Sequence, residues 1–308
     1  MFEAFQFGPF LVWSHVVFLL LGTWLFSEFF LRLAERASLS LQHFRDHAWW
    51  YALSFLVGGR VFAILGEYRA YLRDPLSMLF LTDGAFSFLG ATIGIAVLLY
   101  AVNRQQRSTF LQWLDALVPA TTFGLTFDWI GAFLAGQAYG HPTDMPWAVT
   151  FDAMTVRYSV PIHPVQLYYA LFYFLLTVVL LVIRKRGHRT GAVTLVGIVS
   201  AAMATFFFEY FRGDSTVRIV YMTQLDFLVL LFLFASLALF AAIDFHLTAK
   251  TLRIYEIGLL MALVAYVLAR TWLQPAVFEL RFSQFLAVLG LLATIVYVVV
   301  HRRLYPHL

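Results

Sequence analysis

The chain has 308 residues, of which 62% are hydrophobic and only 12% charged, with a formal net charge of +4. Soluble domains hold roughly 45–50% apolar and about 25% charged residues, so this composition excludes an ordinary water-soluble enzyme and predicts an integral membrane protein. The positive charge is spread over alternate loops rather than gathered in one patch, which argues against nucleic acid, and the absence of cysteine removes internal thiol nucleophiles, disulfides and thiolate metal sites.

Apolar runs long enough to cross about 30 Å of hydrocarbon recur along the chain. An all-α polytopic bundle of about nine transmembrane helices is predicted, near 11–31, 48–66, 86–102, 113–135, 166–183, 192–211, 225–245, 254–273 and 283–300. The first run has no basic segment before it and no small-residue cleavage site after it, so it is expected to stay as a helix. The fourth is the weakest, because it carries Asp115, Pro119 and Asp128. Thirteen Lys and Arg residues fall in loops one, three, five and seven and the C-terminal tail, against six in the other loops. The positive-inside rule therefore places the N-terminus outside and the C-terminus in the cytoplasm, as an odd number of spans also requires. The cluster "RKRGHR" at 184–189 is the firmest cytoplasmic marker and reads as a topogenic anchor touching anionic head groups. The longest loop, 136–165, falls on the outer side by this topology. Its Trp, Tyr and Phe content predicts a packed cap that forms part of a site at the outer membrane face.

Polar side chains sit within the predicted spans or at their ends: Arg60, Asp83, Asp115, Asp128, His163, Gln166, Glu209, Arg212, Gln224 and Asp226. Ionisable groups in a bilayer are expensive, so they face a bundle interior or a water-filled cavity and are usually paired. Asp115, Asp226 and Gln224 are read as interhelical hydrogen bonds or snorkelling side chains. Arg60 follows Gly58 and Gly59, whose missing side chains permit close approach of a backbone or a ligand. Glu209 and Arg212 lie three apart on one helical face, readable as a local ion pair or as part of a site. Asp83 opens the third span beside Gly84, and His163 and Gln166 open the fifth around Pro164. Two arginines and a histidine at one depth fit an anionic lipid head group, since guanidinium forks bind phosphate bidentately. His43, His47, His246 and His301 lie in predicted cytoplasmic segments, and no zinc spacing such as HExxH occurs.

The segments "GPFLVWSHVVFLLLG" (8–22), "GGR" (58–60), "DGAFSFLGATIG" (83–94), "DALVPATTFGL" (115–125), "GQAYGHPTDMPWAVTF" (136–151), "HPVQLYYA" (163–170), "FEYFRGD" (208–214) and "MTQLD" (222–226) follow one another in this order. In order and spacing the chain resembles the prolipoprotein diacylglyceryl transferases over about residues 8–245, which makes 1–245 a transferase-like membrane core and 246–308 an additional C-terminal hairpin and basic tail. The resemblance implies a seven-helix core in the bacterial inner membrane. It implies transfer of the diacylglyceryl unit of phosphatidylglycerol to the lipobox cysteine of a preprolipoprotein, with release of glycerol phosphate and without a cofactor. On that basis the candidate catalytic residues are His163, Arg212 and His15, and the candidate substrate-binding residues are Arg60, Asp83, Gly140, His141, Gln166, Tyr168 and Glu209.

The chain departs from the family pattern where the signature G-R-x-G-N-F-x-N-x-E-x-x-G reads "DWIGAFLAGQAYG" (128–140). Trp129 stands at the arginine, Ala132 and Ala135 at the asparagines, and Gln137 at the glutamate. Leu89 stands at the histidine of S-F-H-G, His15 at a first-helix tyrosine, and Tyr169 at the carboxylate after Q-L-Y. Arg157 and His141 are candidates for meeting the phosphate instead, and His15 for handling a proton. Two further readings stand beside transfer: a non-catalytic relative that binds lipid or lipoprotein in the inherited cavity, and a transporter using the last two helices around Arg270.

Overall fold

The computed structural model describes residues 4–7, 10–66, 71–72, 75–76, 86–103, 107–151, 156–186, 190–214, 219–242, 249–273 and 276–304. Asp83 lies outside the described residues. The chain forms two compact units, Met1–Arg218 and Ile219–Leu308.

In the first unit a short antiparallel ribbon, β1 (Ala4–Phe7) and β2 (Phe10–Trp13), leads into α1 (Ser14–Arg36). A short helix α2 (Gln42–Asp46) precedes α3 (Ala48–Gly66), followed by α4 (Phe88–Asn103), α5 (Arg107–Leu134), α6 (Val165–Arg186) and α7 (Ala192–Phe208), which ends in a 3-10 turn over Glu209–Phe211. In the second unit β3 (Ile219–Thr223) pairs antiparallel with β4 (Val277–Arg281). Around them lie α8 (Gln224–Ala242), α9 (Ala249–Leu273) and α10 (Phe282–Leu304). Each predicted span thus contains a helix. Among the described residues six helical segments are long and apolar enough to cross a membrane, and Phe88–Asn103 and Gln224–Ala235 are shorter apolar helices. The two β ribbons were not expected from the sequence.

Small residues set the helix spacing. A Cβ at Gly58 of α3 would lie 2.6 Å from the Gly90 carbonyl oxygen, and one at Gly94 of α4 would lie 2.2 Å from the Ser54 carbonyl oxygen. Such close backbone contact is how helices associate where lipid offers no hydrophobic driving force. An aromatic core fills the remainder: Phe26 stacks along α1 on Phe30 and meets Phe88 edge-on, with ring centroids 5.5 Å apart. Pro119 interrupts α5, yet the helix continues. Thr121 and Thr122 donate to the carbonyls of Leu117 and Pro119, and the hydroxyls of Thr122 and Thr177 meet at 2.8 Å between α5 and α6.

Asp115 is held by an interhelical network, as the sequence suggested. Its carboxylate accepts from the Gly191 N–H (2.6 Å), the Thr194 N–H (2.9 Å) and the Thr194 hydroxyl (2.7 Å), capping the N-terminus of α7 from a neighbouring helix. Asp115→Ala is expected to cost about 2–3 kcal/mol, because a cap is lost and buried donors are left without acceptors. Thermal unfolding in lipid nanodiscs measures this, with Asp115→Asn falling between the alanine variant and wild type.

Asp226 likewise serves structure. It forms a capping box with Thr223, in which the Thr223 N–H donates to Oδ2 (2.8 Å) and the Asp226 N–H to the threonine hydroxyl (3.1 Å). Tyr266 donates to the same carboxylate, and Arg270 stands 3.4 Å from it while donating to the Tyr266 hydroxyl at 3.1 Å. Arg270, which motivated the transporter reading, is therefore engaged in holding α9 to the start of α8.

Candidate functional site

Loop 136–165 folds back as the sequence predicted, into a packed cap with its own small core of Tyr139, Phe151 and Ile162. Main-chain hydrogen bonds tie the cap to the end of α7. The His141 N–H donates to the Phe211 carbonyl (2.8 Å), the Gly213 N–H to the Tyr139 carbonyl (2.9 Å), and the His163 N–H to the His141 carbonyl (3.0 Å). Val149 and Ile162 exchange both backbone bonds at 3.0 Å. This knot draws together segments far apart in sequence, and with them Gly140, His141, His163, Gln166 and Arg212.

Gly140 is there because nothing larger fits. A Cβ would lie 2.3 Å from the His163 carbonyl oxygen and 2.6 Å from the His163 Cβ. Gly140→Ala is expected to loosen the cap by about 1–3 kcal/mol through overpacking against backbone. Limited proteolysis reads this as faster cleavage within 141–161, with the transmembrane helices left intact.

Arg212 is the most strongly held side chain of the site. Its Nε and Nη2 donate to the two oxygens of Asp214, at 2.9 and 2.7 Å, and its Nη1 donates to Glu209 at 2.9 Å. All three are buried, with relative exposures of 9%, 4% and 2% for Arg212, Asp214 and Glu209. Burial works against the guanidinium charge, but the Glu209 and Asp214 carboxylates more than offset it and hold its pKa above the usual range. The triad carries two carboxylates against one guanidinium.

His163 points to a different set of partners. Its Nδ1 lies 3.0 Å from the Tyr168 hydroxyl, which accepts from the Trp147 indole N–H at 2.7 Å. With that lone pair occupied, the phenol can give its own hydrogen to Nδ1, placing the hydrogen of the neutral ring on Nε2. Burial, then the neighbouring His141, lower the His163 pKa, so the ring is neutral at pH 7. Gln166 is fully buried and donates Nε2 to the Gln137 carbonyl at 2.5 Å, while its Oε1 has no hydrogen-bond partner among the described residues.

At the positions that the resemblance assigns to an arginine and a carboxylate, Trp129 and Tyr169 stack face to face, centroids 4.1 Å apart and planes 9° from parallel. At these two positions α5 and α6 are joined by an aromatic contact. Ala132 and Ala135 are buried, and Leu89 is half exposed.

His15, in the first turn of α1, stands with Nε2 3.3 Å from Oδ1 of Asp128 on α5. It lines one end of a cavity of about 550 Å³ between α1 and α3, whose walls include Leu19, Phe26, Tyr51 and Phe55. Arg60 belongs to another set of contacts: it is buried on α3 with its guanidinium carbon 5.2 Å from the centroid of the Tyr71 ring. Arg157 is exposed in the cap segment beyond Phe151, and its relation to a phosphate rests on sequence alone.

Two functional candidates were missed in the sequence. Asp214 belongs to the "FRGD" segment, where an acid two residues beyond an arginine in extended backbone could have been noticed. Asp128 reads as polar at membrane depth, but nothing in the linear order joins it to His15, 113 positions away.

Comparison with known proteins agrees with this architecture. The sequence profile described as "Prolipoprotein diacylglyceryl transferase" matches residues 3–300. The chain is 32% identical over 217 residues to the phosphatidylglycerol–prolipoprotein diacylglyceryl transferase of Methylococcus capsulatus, covering 68% of this chain and 80% of that relative. It is 31% identical over 175 residues to the enzyme of the same name from Idiomarina loihiensis, covering 56% of this chain and 65% of the relative. For the Polynucleobacter necessarius enzyme the figures are 32% over 162 residues, 52% and 61%. The match thus spans a little under two thirds of the length of two of these relatives. A profile that runs through nearly the whole chain is the deciding observation: the chain belongs to the prolipoprotein diacylglyceryl transferase family.

Proposed function

We propose that the protein is a diacylglyceryl transferase of the bacterial inner membrane, with its N-terminus outside and its C-terminus in the cytoplasm. It binds phosphatidylglycerol and a preprolipoprotein lipobox segment and moves the diacylglyceryl unit to the cysteine thiol. Arg60 and the Arg212 region, with Asp83, Gly140, His141, Gln166, Tyr168 and Glu209, form the surroundings of the lipid head group. Two imidazoles, His15 and His163, can receive the thiol proton. Residues 246–308, with the last two helices and the basic tail, follow the 1–245 core. The observation that carries this reading is the knot of cap and helix ends, which gathers Gly140, His141, His163, Gln166 and Arg212 at one place.

A second reading, lipid or lipoprotein binding without transfer, is favoured by the Trp129–Tyr169 stack and by the saturation of Arg212 with carboxylates. A leaving phosphate needs positive charge directed at it, and removing one such donor typically costs about 10²–10³ in rate. The two readings part in one assay. Purified protein in phosphatidylglycerol vesicles is mixed with a lipobox peptide, with an authentic transferase as control. Transfer predicts a thioether product from wild type. Binding alone predicts phosphatidylglycerol retention with no product, and the absence of both ends the lipid-site account.

A further inference from the structure

The most informative contact in the molecule joins two positions at which the chain departs from its family pattern. His15 replaces a tyrosine of the first helix, and Asp128 occupies the position before Trp129 where the pattern has glycine. The structure brings these two replacements together, with Nε2 of His15 3.3 Å from Oδ1 of Asp128. A third departure, Leu89, removes the histidine of S-F-H-G. The chain thus lacks one imidazole and holds another in contact with an acid.

Asp128 Oδ1 is buried, and no described group gives it a hydrogen bond of good geometry. A buried acceptor 3.3 Å from an imidazole nitrogen is within hydrogen-bonding distance but poorly aligned with it, and a small turn of the ring lets it take the Nε2 hydrogen, since such bonds are often misaligned in unliganded sites and tighten with substrate. With Nε2–H committed to the carboxylate, Nδ1 carries the lone pair and becomes the basic nitrogen. His15 also lines the α1–α3 cavity, which extends along α1 as far as Phe30. At 1.5 Å per residue that stretch of helix is about 22 Å long, comparable with an extended acyl chain. An acid–base pair at the head of a long apolar slot is placed where the ester end of a lipid meets its glyceryl carbons.

We infer that His15 and Asp128 form the acid–base dyad of this protein, with His15 accepting the thiol proton and Asp128 as the positioning residue that fixes its tautomer. This rests on the transferase reading for its reaction. In the step, the S–H proton passes to Nδ1 of His15 as sulfur forms a bond to the terminal glyceryl carbon of the diacylglyceryl unit. The bond from that carbon to the phosphate oxygen breaks, and its electron pair leaves on glycerol phosphate. The imidazolium then returns the proton to the departing phosphate monoester, so charge and atoms balance without a further reactant.

Histidine-selective ¹⁵N NMR of the full chain in phosphatidylglycerol nanodiscs tests the dyad without relying on turnover, with the His15 signal assigned by its loss in His15→Gln. Wild type is expected to hold His15 in the Nε2–H tautomer, and Asp128→Asn to return it to an ordinary mixture, with the other histidine signals unmoved. In the lipobox-peptide assay Asp128→Asn should lower kcat about 100-fold with KM within about twofold. Asp128→Glu should recover part of the rate, and adding His15→Gln to Asp128→Asn should cause little further loss. An active wild type with an unchanged tautomer and near-normal kcat in Asp128→Asn would overturn the dyad and leave the transferase reading standing. An inactive wild type whose His15 tautomer still depends on Asp128 would do the reverse.

Discussion

Arg212→Ala is expected to destabilise the protein by about 3–5 kcal/mol and to unfasten the cap before any effect on lipid is considered. Removing one partner from a buried ion pair leaves the other charge uncompensated in a medium that solvates it poorly, which is why the loss exceeds the net worth of the pair. In this triad two partners are stranded. Glu209 comes from the 3-10 turn that ends α7, and Asp214 from the extended segment beyond it. The guanidinium is what allows both acids to sit buried beside the Gly140–Arg212 backbone bridge. Arg212→Lys should recover only part of the stability, because an ammonium cannot reproduce the bidentate grip on Asp214. Thermal unfolding in nanodiscs, with proteolysis of the cap as a local readout, measures both variants. A side chain whose only task is to hold a ligand phosphate would give a different result: Arg212→Ala would unfold like wild type and lose only lipid affinity.

The second large effect concerns Trp129 and Tyr169. Tyr169→Glu alone should cost at least about 3 kcal/mol, because a carboxylate would enter a position 1% exposed and within electrostatic range of Glu209. Trp129→Arg alone should cost about 2–4 kcal/mol through lost burial and lost stacking. Combined, the two changes set a guanidinium and a carboxylate, the residue types that the resemblance has at these positions, where the rings now stack. The double variant should then be more stable than the sum of the singles by about 1–3 kcal/mol. It should also bind phosphatidylglycerol more tightly, since a guanidinium would be added near the proposed head-group region. A double-mutant cycle by thermal unfolding gives the coupling, and strictly additive losses would show that a guanidinium and a carboxylate do not pair at these positions.

The helices were legible in the sequence because a bilayer leaves little choice: backbone polar groups must be satisfied within the segment, so long apolar runs become helices. Even the run containing Pro119 and Asp115 is helical, since threonine hydroxyls and the cap on α7 satisfy its polar groups. The ribbons escaped notice because strands of four or five residues, such as "AFQF" and "VFELR", are too short to display a period of two against an apolar background. Within the site, the Glu209–Arg212 pair was visible from its spacing of three, but the two do not share a helical face, because Arg212 sits in extended backbone just beyond the 3-10 turn that carries Glu209. The contacts His15–Asp128, Trp129–Tyr169 and Trp147–Tyr168 join elements distant in sequence, and only packing reveals them. Arg212 illustrates the limit from the other side: its presence near a span end was plain, but its neutralisation by Asp214 depends on the backbone turning out of α7 at Arg212.

The claim on which the rest depends is that this end of the bundle still handles phosphatidylglycerol and a thiol despite its altered signature. Complementation of a bacterial strain depleted of its own transferase puts that claim to the most direct test. With expression in the membrane verified by immunoblot, the wild-type chain is predicted to restore growth and His15→Gln to abolish it. Failure of the wild-type chain to support growth, under conditions where an unaltered family member does, would contradict the account.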